Sequence, residues 1–573
     1  MDMKVFIDEN EHHSRYYQSP FEDTINSNNI PIQDQKWNRL STWVLVVLVV
    51  IASSFVWSSS KYKYLDSSKA NLLSAKELGL NSEESTLPHV VFYLIDDQGF
   101  ADVGYNSQEG DLKSFSPNMD KLAVEGLKFS SYYAQALCTP ARAALMTGKY
   151  PTHNGMNYQV LSADSAFGLP LHHKIMPEYL QDLGYKTHIL GKWHLGFFNR
   201  KYMPTFRGFD SHVGFYDGAN YYYLHSVMVN DEWYQDFHRD GDNYEDTETY
   251  GPLVYMNEAA DIITAHDPEE PLFLFYSQQL VHKPLEDPDE SMITPAQVSE
   301  SALLSGDRAT FARMTAALDH SLQTLVENLQ KSGMYENSII IVSSDNGGCS
   351  NFGGNNYPFR GEKNTFFEGG VRTNAFIHSP LLPKNLKGQT YDGMFHISDW
   401  LPTLVHGMLD RELPGMENLD GIDLWPDILG EEGANVRDEL LYNIEVHEAT
   451  QTFRVAIRSG NMKFVYGEVM SSWYSNEMFS LDYNSCEYDS SEYTTNAFLF
   501  DLENDEIEMD NLYNVADDDT IAKFWDKVDH YYGSMVPAAY QRYSGLSTPY
   551  LFWSENDHYL TPWVTDKQLE GVV

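Results

Sequence analysis

Cys138 stands one residue ahead of a Thr139-Pro140 pair, and Arg142 follows two residues after the proline. The Ala/Leu/Met-rich run Ala141 to Met146 comes next, so the spacing predicts a helix. Thr139 reads as its N-cap, Pro140 as its first residue and Gly148 as its stop. Free backbone N–H groups and the helix dipole favour an anion at such an end, and Arg142 would project from the first turn toward the same spot. Taken alone, the pattern also describes an ordinary helix start with a buried thiol.

Two acidic pairs follow apolar runs elsewhere: Asp96-Asp97, and Asp345-Asn346 ahead of Gly347-Gly348. Three carboxylates and an amide brought close repel one another unless a cation holds them. An all-oxygen set without His or Cys suits a hard ion, Ca²⁺ or Mg²⁺, and calcium tolerates the more irregular coordination. Lys192 and His194 flank Trp193, so in an extended chain both face one side. Lys363 follows a Gly/Asn-rich loop from Gly353 to Asn356; by itself it reads as a solvated surface lysine. His282 by itself reads as a core histidine, and His172-His173 as surface or packing.

Strands must position these groups. His89 to Ile95, Tyr185 to Leu190, Leu272 to Tyr276 and Ser338 to Ser344 are short β-branched or aromatic runs alternating with helical segments. That alternation implies βαβ units and a mainly parallel α/β sheet. A helix is expected from about Ile175 to Leu183, and Leu318, Leu322, Leu325 and Leu329 mark the apolar face of another that Gly333 ends. Each strand is followed by ionisable residues, and open α/β sheets bind ligands beyond the carboxyl ends of their strands. Asp231 to Tyr250, acidic and aromatic without a period, reads as a surface excursion. After about Asp420 the pattern shifts to shorter strands and acidic turns, so a catalytic domain over 88–420 and a smaller α+β C-terminal domain over 421–573 are expected.

The chain has 573 residues, 42% hydrophobic and 14% aromatic, which fits a globular body. Its 83 Asp and Glu against 38 Lys and Arg give a net charge of -45, which argues against nucleic acid as a partner. Of its three cysteines, Cys349 and Cys486 could form one disulfide if Cys138 serves chemistry. Trp43 to Trp57 carries no charge and would span about 22 Å as a helix. It is read as a signal-anchor, with residues 1–40 cytosolic, 41–57 in the membrane and 58–87 a Ser-, Lys- and Glu-rich stalk. A signal peptide cut after Ser54, or a buried core helix, are the competing readings. No Asn-x-Ser/Thr sequon occurs.

Cys-x-Pro-x-Arg at 138–142 resembles the core signature of the sulfatase family, with Ala141 where most sulfatases have serine. Gly184-Tyr185-Lys186-Thr187-His188-Ile189-Leu190-Gly191-Lys192-Trp193-His194 is similar to the second sulfatase signature. Arg207-Gly208-Phe209-Asp210, His282-Lys283-Pro284, Asp345-Asn346-Gly347-Gly348 and Leu499-Phe500-Asp501-Leu502 extend the likeness over roughly residues 88–515. The wording around Lys192 resembles most the arylsulfatase B group, the N-acetylgalactosamine-4-sulfatase-like enzymes.

The resemblance implies an alkaline-phosphatase-like fold and calcium-dependent hydrolysis of sulfate monoesters, with a sulfated carbohydrate as the expected substrate. It implies that a formylglycine-generating enzyme converts Cys138 to Cα-formylglycine (3-oxoalanine). It also implies that Asp96, Asp97, Asp345, Asn346 and modified residue 138 bind one Ca²⁺. The hydrated aldehyde then attacks sulfur and forms a covalent sulfo-enzyme intermediate. Arg142, Lys192 and Lys363 would neutralise developing charge, His194 would take a proton, and His282 and Lys363 would bind sulfate or protonate the leaving oxygen. Tyr216 and Tyr221-Tyr222-Tyr223 could line a sugar-binding rim or simply pack. Two other functions compete: a phosphate or phosphonate ester hydrolase, and a non-catalytic protein that binds sulfated glycan with Cys138 unconverted. The catalytic domain is expected in the secretory pathway, lumenal or extracellular.

Overall fold

The computed structural model describes residues 87–107, 110–245, 248–447, 452–468, 496–542 and 548–570. Five strands form its centre: β1 (His89–Ile95), β2 (Lys186–Lys192), β3 (Ser211–Phe215), β4 (Leu272–Ser277) and β5 (Ser338–Ser344). They lie in the order β5-β1-β4-β2-β3 and are parallel throughout. β6 (Ala375–His378) adds antiparallel to β5, and shorter strands extend both edges.

Every residue of β1, β4 and β5 is buried, because helices cover both faces of a parallel sheet and leave its strands continuously apolar. Alternate side chains feed two cores. Val90, Phe92, Leu94, Phe273, Phe275, Ile339 and Ile341 join one, together with Trp400 and residues of α1 (Cys138–Thr147). Val91, Tyr93, Ile95, Leu274, Tyr276, Ile340 and Val342 join the other. The short α2 (Met176–Asp182) precedes β2. The long α3 (Asp307–Lys331) buries Leu318, Leu322, Leu325 and Leu329 on the second face, and Gly333 at φ 78 turns the chain after it. Each such leucine contributes about 1.5–3 kcal/mol by leaving water.

The strand ends are in register. Ile95 pairs with Ser344, Leu94 with Ser277, and Ser277 with Gly191, so the residues that follow emerge side by side along one edge.

The segment after Asp231 departs from the surface excursion expected. It holds strands Glu232–Gln235, His238–Arg239 and Asp242–Asn243 and buries Tyr234, Asp236, Phe237, His238 and Tyr250. Strands of two to four residues are too short to show a period.

A four-stranded antiparallel sheet follows: β7 (Glu439–His447), β8 (Thr452–Ser459), β9 (Met462–Tyr466) and β10 (Ala497–Asp501), in sequence order. α4 (Asp518–Ser534) lies on it through Phe524, whose ring centroid is 5.7 Å from that of Phe464, and Asp517 caps the helix by accepting from the Thr520 N–H. Cys349 is disulfide-bonded; Cys486 lies outside the described residues. Residues 1–86, and with them the tail, the Trp43–Trp57 segment and nearly all of the stalk, lie outside them too. Among the described residues no helix is long and apolar enough to cross a membrane.

Candidate active site

Asp96 and Asp97 leave β1, and Asp345 and Asn346 leave β5; all four are buried. Ser277 closes β4, on the other side of β1, and Lys192 closes β2 next to it. Asp97 adopts φ 59, a left-handed conformation that non-glycine residues reach at a cost.

α1 brings Cys138 to this edge and starts two residues earlier than expected. The helix begins at Cys138 itself, with Leu137 in the N-cap position and Gly148 closing it at φ 63. Thr139 does not cap, because its hydroxyl is engaged elsewhere: it accepts from the Leu161 N–H at 3.1 Å and donates to the His194 carbonyl at 3.5 Å. Cys138 Sγ lies 3.7 Å from Asp96 Oδ1 and 3.8 Å from Asp97 Oδ1.

Three cations face the three carboxylates. Arg142, one turn along α1, donates to Asp345 Oδ2 at 2.9 and 3.1 Å, to Ser277 Oγ at 2.6 Å and to the Lys192 carbonyl at 3.3 Å, and stands 3.5 Å from Asp96. Lys192 Nζ donates to Asp96 at 2.8 and 3.1 Å. Lys363 Nζ donates to Asp97 Oδ2 at 2.7 Å and lies 3.1 Å from His282 Nε2. It is buried, not the solvated lysine its local sequence suggests.

Burial pushes the Cys138 thiol up to about 12, with Lys192 and Lys363 offsetting part of that effect. An unmodified thiol here stays protonated and is a poor nucleophile. Burial and the charge of Asp96 raise Asp345 to about 6 against the pull of Arg142. Burial also acts to raise Asp97, but the charges of Lys363 and Lys192 outweigh it and hold that carboxyl below its ordinary value. Burial, reinforced by Lys363 at His282 and by Lys192 at His194, pulls both imidazoles well below their ordinary value, so both are neutral.

The arrangement fits a cation. Asp96, Asp97, Cys138 and His282 each place a ligand atom within 4.8 Å of the others. Asn346 donates from Nδ2 to Asp97 Oδ1 at 2.7 Å, while its buried Oδ1 has no protein partner, a free oxygen beside the carboxylates. Asp345 turns its Oδ2 to Arg142 and its Oδ1 to the Asp97 N–H at 3.2 Å.

His194 adjoins the cluster without bonding to it. Its φ of 58 breaks the extended geometry that would have aligned it with Lys192. The ring instead lies against the Gly218 backbone, with Nε2 2.9 Å from the Leu161 carbonyl, and Nδ1 is buried and unpartnered. Tyr216 and Tyr222 are packing residues: Tyr216 stacks 4.2 Å from His238, and the Tyr222 hydroxyl donates to the His282 carbonyl at 2.7 Å. His173 is buried and accepts from Arg207 through its carbonyl at 2.9 Å.

Residues 88–408, more than half of the chain, match the profile of the family described as Sulfatase. The chain belongs to the sulfatase family. It is 37% identical over 432 residues to arylsulfatase J of Mus musculus, covering 72% of this chain and 69% of that one. It is 31% identical over 362 residues to the N-acetylgalactosamine-6-sulfatase of the same species, covering 60% of this chain and 66% of that one. The crystal structure of Ps i-CgsB in complex with k-i-k-neocarrahexaose superposes with a TM-score of 0.64 at 25% identity, over 82% of this chain and 98% of that one. The fold is thus the alkaline-phosphatase-like sulfatase fold with a small antiparallel sheet near the C-terminus, and sulfate-ester hydrolysis is its reaction class.

Sequence reasoning missed two residues at the edge of this sulfatase site. Ser277 anchors Arg142, and as the polar end of an otherwise apolar strand it was open to the same rule that found Asp96 and Asp345. Asp217, buried beyond the end of β3, carries a carboxyl that burial and then Asp236 raise to about 7. Nothing in its local sequence marks it.

Proposed function

We propose that this sulfatase hydrolyses sulfate monoesters of carbohydrates, with one Ca²⁺ held by Asp96, Asp97, Asp345 and Asn346 and with residue 138 converted to Cα-formylglycine by a formylglycine-generating enzyme. The observation that carries the reading is the thiol of Cys138 set between two carboxylates, with three buried cations closing around them. Bound calcium and the hydrated aldehyde together supply an acidified hydroxyl nucleophile.

The protein's own groups do the rest. Arg142 orients Asp345 through a two-point contact and so fixes one ligand. Lys192 and Lys363, both buried, offer N–H donors to sulfate oxygens, where low-dielectric surroundings strengthen such contacts. His282 sits 2.5 Å from the Lys283 carbonyl through Nδ1, so Nδ1 carries the proton and Nε2 accepts from Lys363. Lys363 is therefore the group that presents a proton to the departing oxygen, and His282 holds it there. By the same logic His194 carries its proton on Nε2, which faces the Leu161 carbonyl, and keeps Nδ1 free to take one up.

The disulfide at Cys349 supports an oxidising compartment, in line with a lumenal or extracellular catalytic domain behind an N-terminal anchor. The test joins two measurements on protein made with the converting enzyme present. Peptide mass should show the thiol-to-aldehyde loss at residue 138, and 4-nitrophenyl sulfate should turn over far faster than 4-nitrophenyl phosphate. An unconverted thiol with tight glycan binding and no turnover would make the protein a lectin instead, and preference for the phosphate would make it a phosphatase.

A further inference from the structure

Lys363 lies on a stretch, 361–367, that belongs to no helix or strand, yet its ammonium must hold a fixed position to act on the leaving oxygen. The backbone just after it is clamped from the C-terminal sheet. Arg454 of β8 is fully buried and donates through Nη2 to the Asn364 carbonyl. The same guanidinium donates to Glu468 Oε2 at 2.7 and 3.1 Å and to Glu445 Oε2 at 3.3 Å, and lies 3.9 Å from the centroid of the Phe366 ring. Glu468 Oε2 in turn accepts from the Phe366 N–H at 2.8 Å. Arginine and glutamate thus bracket the peptides on either side of Thr365.

From the other side, the Asn364 N–H donates to the Ala136 carbonyl at 2.8 Å and the Lys363 N–H to the Gly348 carbonyl at 3.1 Å. Asn364 is held at φ 75, a conformation an unrestrained asparagine seldom keeps. The two fixed backbone contacts of Lys363–Asn364 lead to the Cys138 segment and to the Asp345 segment, and the third leads to Arg454.

We propose that Arg454, braced by Glu468, is a positioning residue of the sulfatase reaction: it sets the backbone of Asn364–Phe366 so that Lys363 Nζ meets Asp97, His282 and the substrate. The C-terminal sheet is then a part of the active site's frame. This inference rests on the assignment of Lys363 to the reaction, so the experiment separates the two. Four proteins are compared on 4-nitrophenyl sulfate: wild type, Lys363→Met, Arg454→Lys and the double variant, each with its melting temperature and residue-138 conversion measured.

Lys363→Met should lower kcat by roughly 10²–10³-fold, as loss of one preorganised donor does. Arg454→Lys keeps the charge but lacks the fork that reaches both Glu468 and the Asn364 carbonyl. It should lower kcat by roughly 10²-fold while changing KM by far less, the effect of a misplacement near 1 Å. The double variant should be no slower than Lys363→Met alone. Additive losses, or an Arg454→Lys protein with wild-type kcat, would overturn the positioning role. A Lys363→Met protein with wild-type kcat would overturn the assignment of Lys363 instead. Should Arg454→Lys fail to fold, Glu468→Gln, isosteric and uncharged, replaces it in the same cycle with the same readings.

Discussion

Gly191 offers the sharpest mechanical test of the site, because it joins two strands one residue before Lys192. Its φ is 92, and a Cβ built there would lie 2.0 Å from the Ser277 carbonyl oxygen of the neighbouring β4. Real Cβ contacts essentially never fall below 3.0 Å, so β2 and β4 would have to separate by at least about 1 Å. That separation strains the ladder beside Ser277, which anchors Arg142, and moves Lys192 directly. Left-handed strain costs an L-residue about 1–2 kcal/mol, and overpacking adds about 1–3 kcal/mol. Gly191→Ala should therefore lose about 2–5 kcal/mol. Unfolding entropy of roughly 2.1 cal/mol/K per residue puts that at about 2–5 °C of melting temperature for a body of this size. The kcat on 4-nitrophenyl sulfate should fall by roughly 10²-fold, since a shift of about 1 Å at the reacting groups has that effect. Gly184 is the control: its φ is 89 but nothing lies within 4 Å of its built Cβ. Gly184→Ala should lose only the strain, about 1–2 °C, and keep its kcat. If the two variants behave alike, or Gly191→Ala keeps wild-type kcat, the register argument for the site is wrong.

Cys138→Ala should abolish turnover yet fold normally, because the thiol makes only two long contacts, at 3.7 and 3.8 Å; melting temperature and activity on an aryl sulfate check both halves, and retained hydrolysis refutes the nucleophile. Asp345→Ala should lower calcium affinity at least tenfold by isothermal titration, and an unchanged metal content would remove Asp345 from the ligand set. Asp217 bears on pH: its carboxyl is held at about 7 in the fold against 3.8 free, so the folded state keeps its proton longer. Stability from this group is complete below pH 4 and is lost as pH rises through 7, by about 4 kcal/mol in all. Asp217→Asn should then gain on wild type as pH climbs through that window, and parallel melting curves would refute the shift. Raising salt should lower KM for a multiply sulfated oligosaccharide more than for a monosulfated aryl ester, since the acidic exterior repels the former more; a KM that rises with salt would contradict this.

The strands were legible wherever burial on both faces left a continuous apolar run ended by acid. His89–Ile95 and Ser338–Ser344 have the bounds the sequence predicts, while β2 and β4 run one or two residues further, into polar residues that the sheet edge still pairs. What local sequence misreads is what tertiary contacts decide. Thr139 has the chemistry of an N-cap but gives its hydroxyl to Leu161 and His194. Lys192 and His194 have the spacing of one strand face, but a positive φ at His194 ends the alternation. Lys363 has the look of a surface residue and is buried by groups from Asp97 and His282. Its brace, Arg454, stands 90 residues beyond the Asn364 carbonyl it holds, on a different sheet, and no period or motif links the two. Ordering a loop by contacts of such separation leaves no trace in its own composition.

The charge of the whole and the charge of the site point opposite ways, and burial reconciles them. The net charge of -45 should repel a sulfate ester at a distance, yet it acts through water and salt, where the field fades within about 8 Å. Inside, Asp96, Asp97 and Asp345 are matched one for one by Lys192, Lys363 and Arg142 at 2.7–2.9 Å, with both nearby histidines neutral. A cluster balanced in this way would become net positive with the divalent ion proposed above bound to it. An anion that reaches the edge would then meet buried cations, whose attraction is screened less than it is at the surface. The two lysines and Arg142 also explain how three buried carboxylates can stand together in the fold, since each has a cationic partner within the protein itself. Recognition of the sulfate group is therefore a property of a few residues at one sheet edge, and the acidic exterior adds a salt-dependent repulsion that grows with the charge of the rest of the substrate.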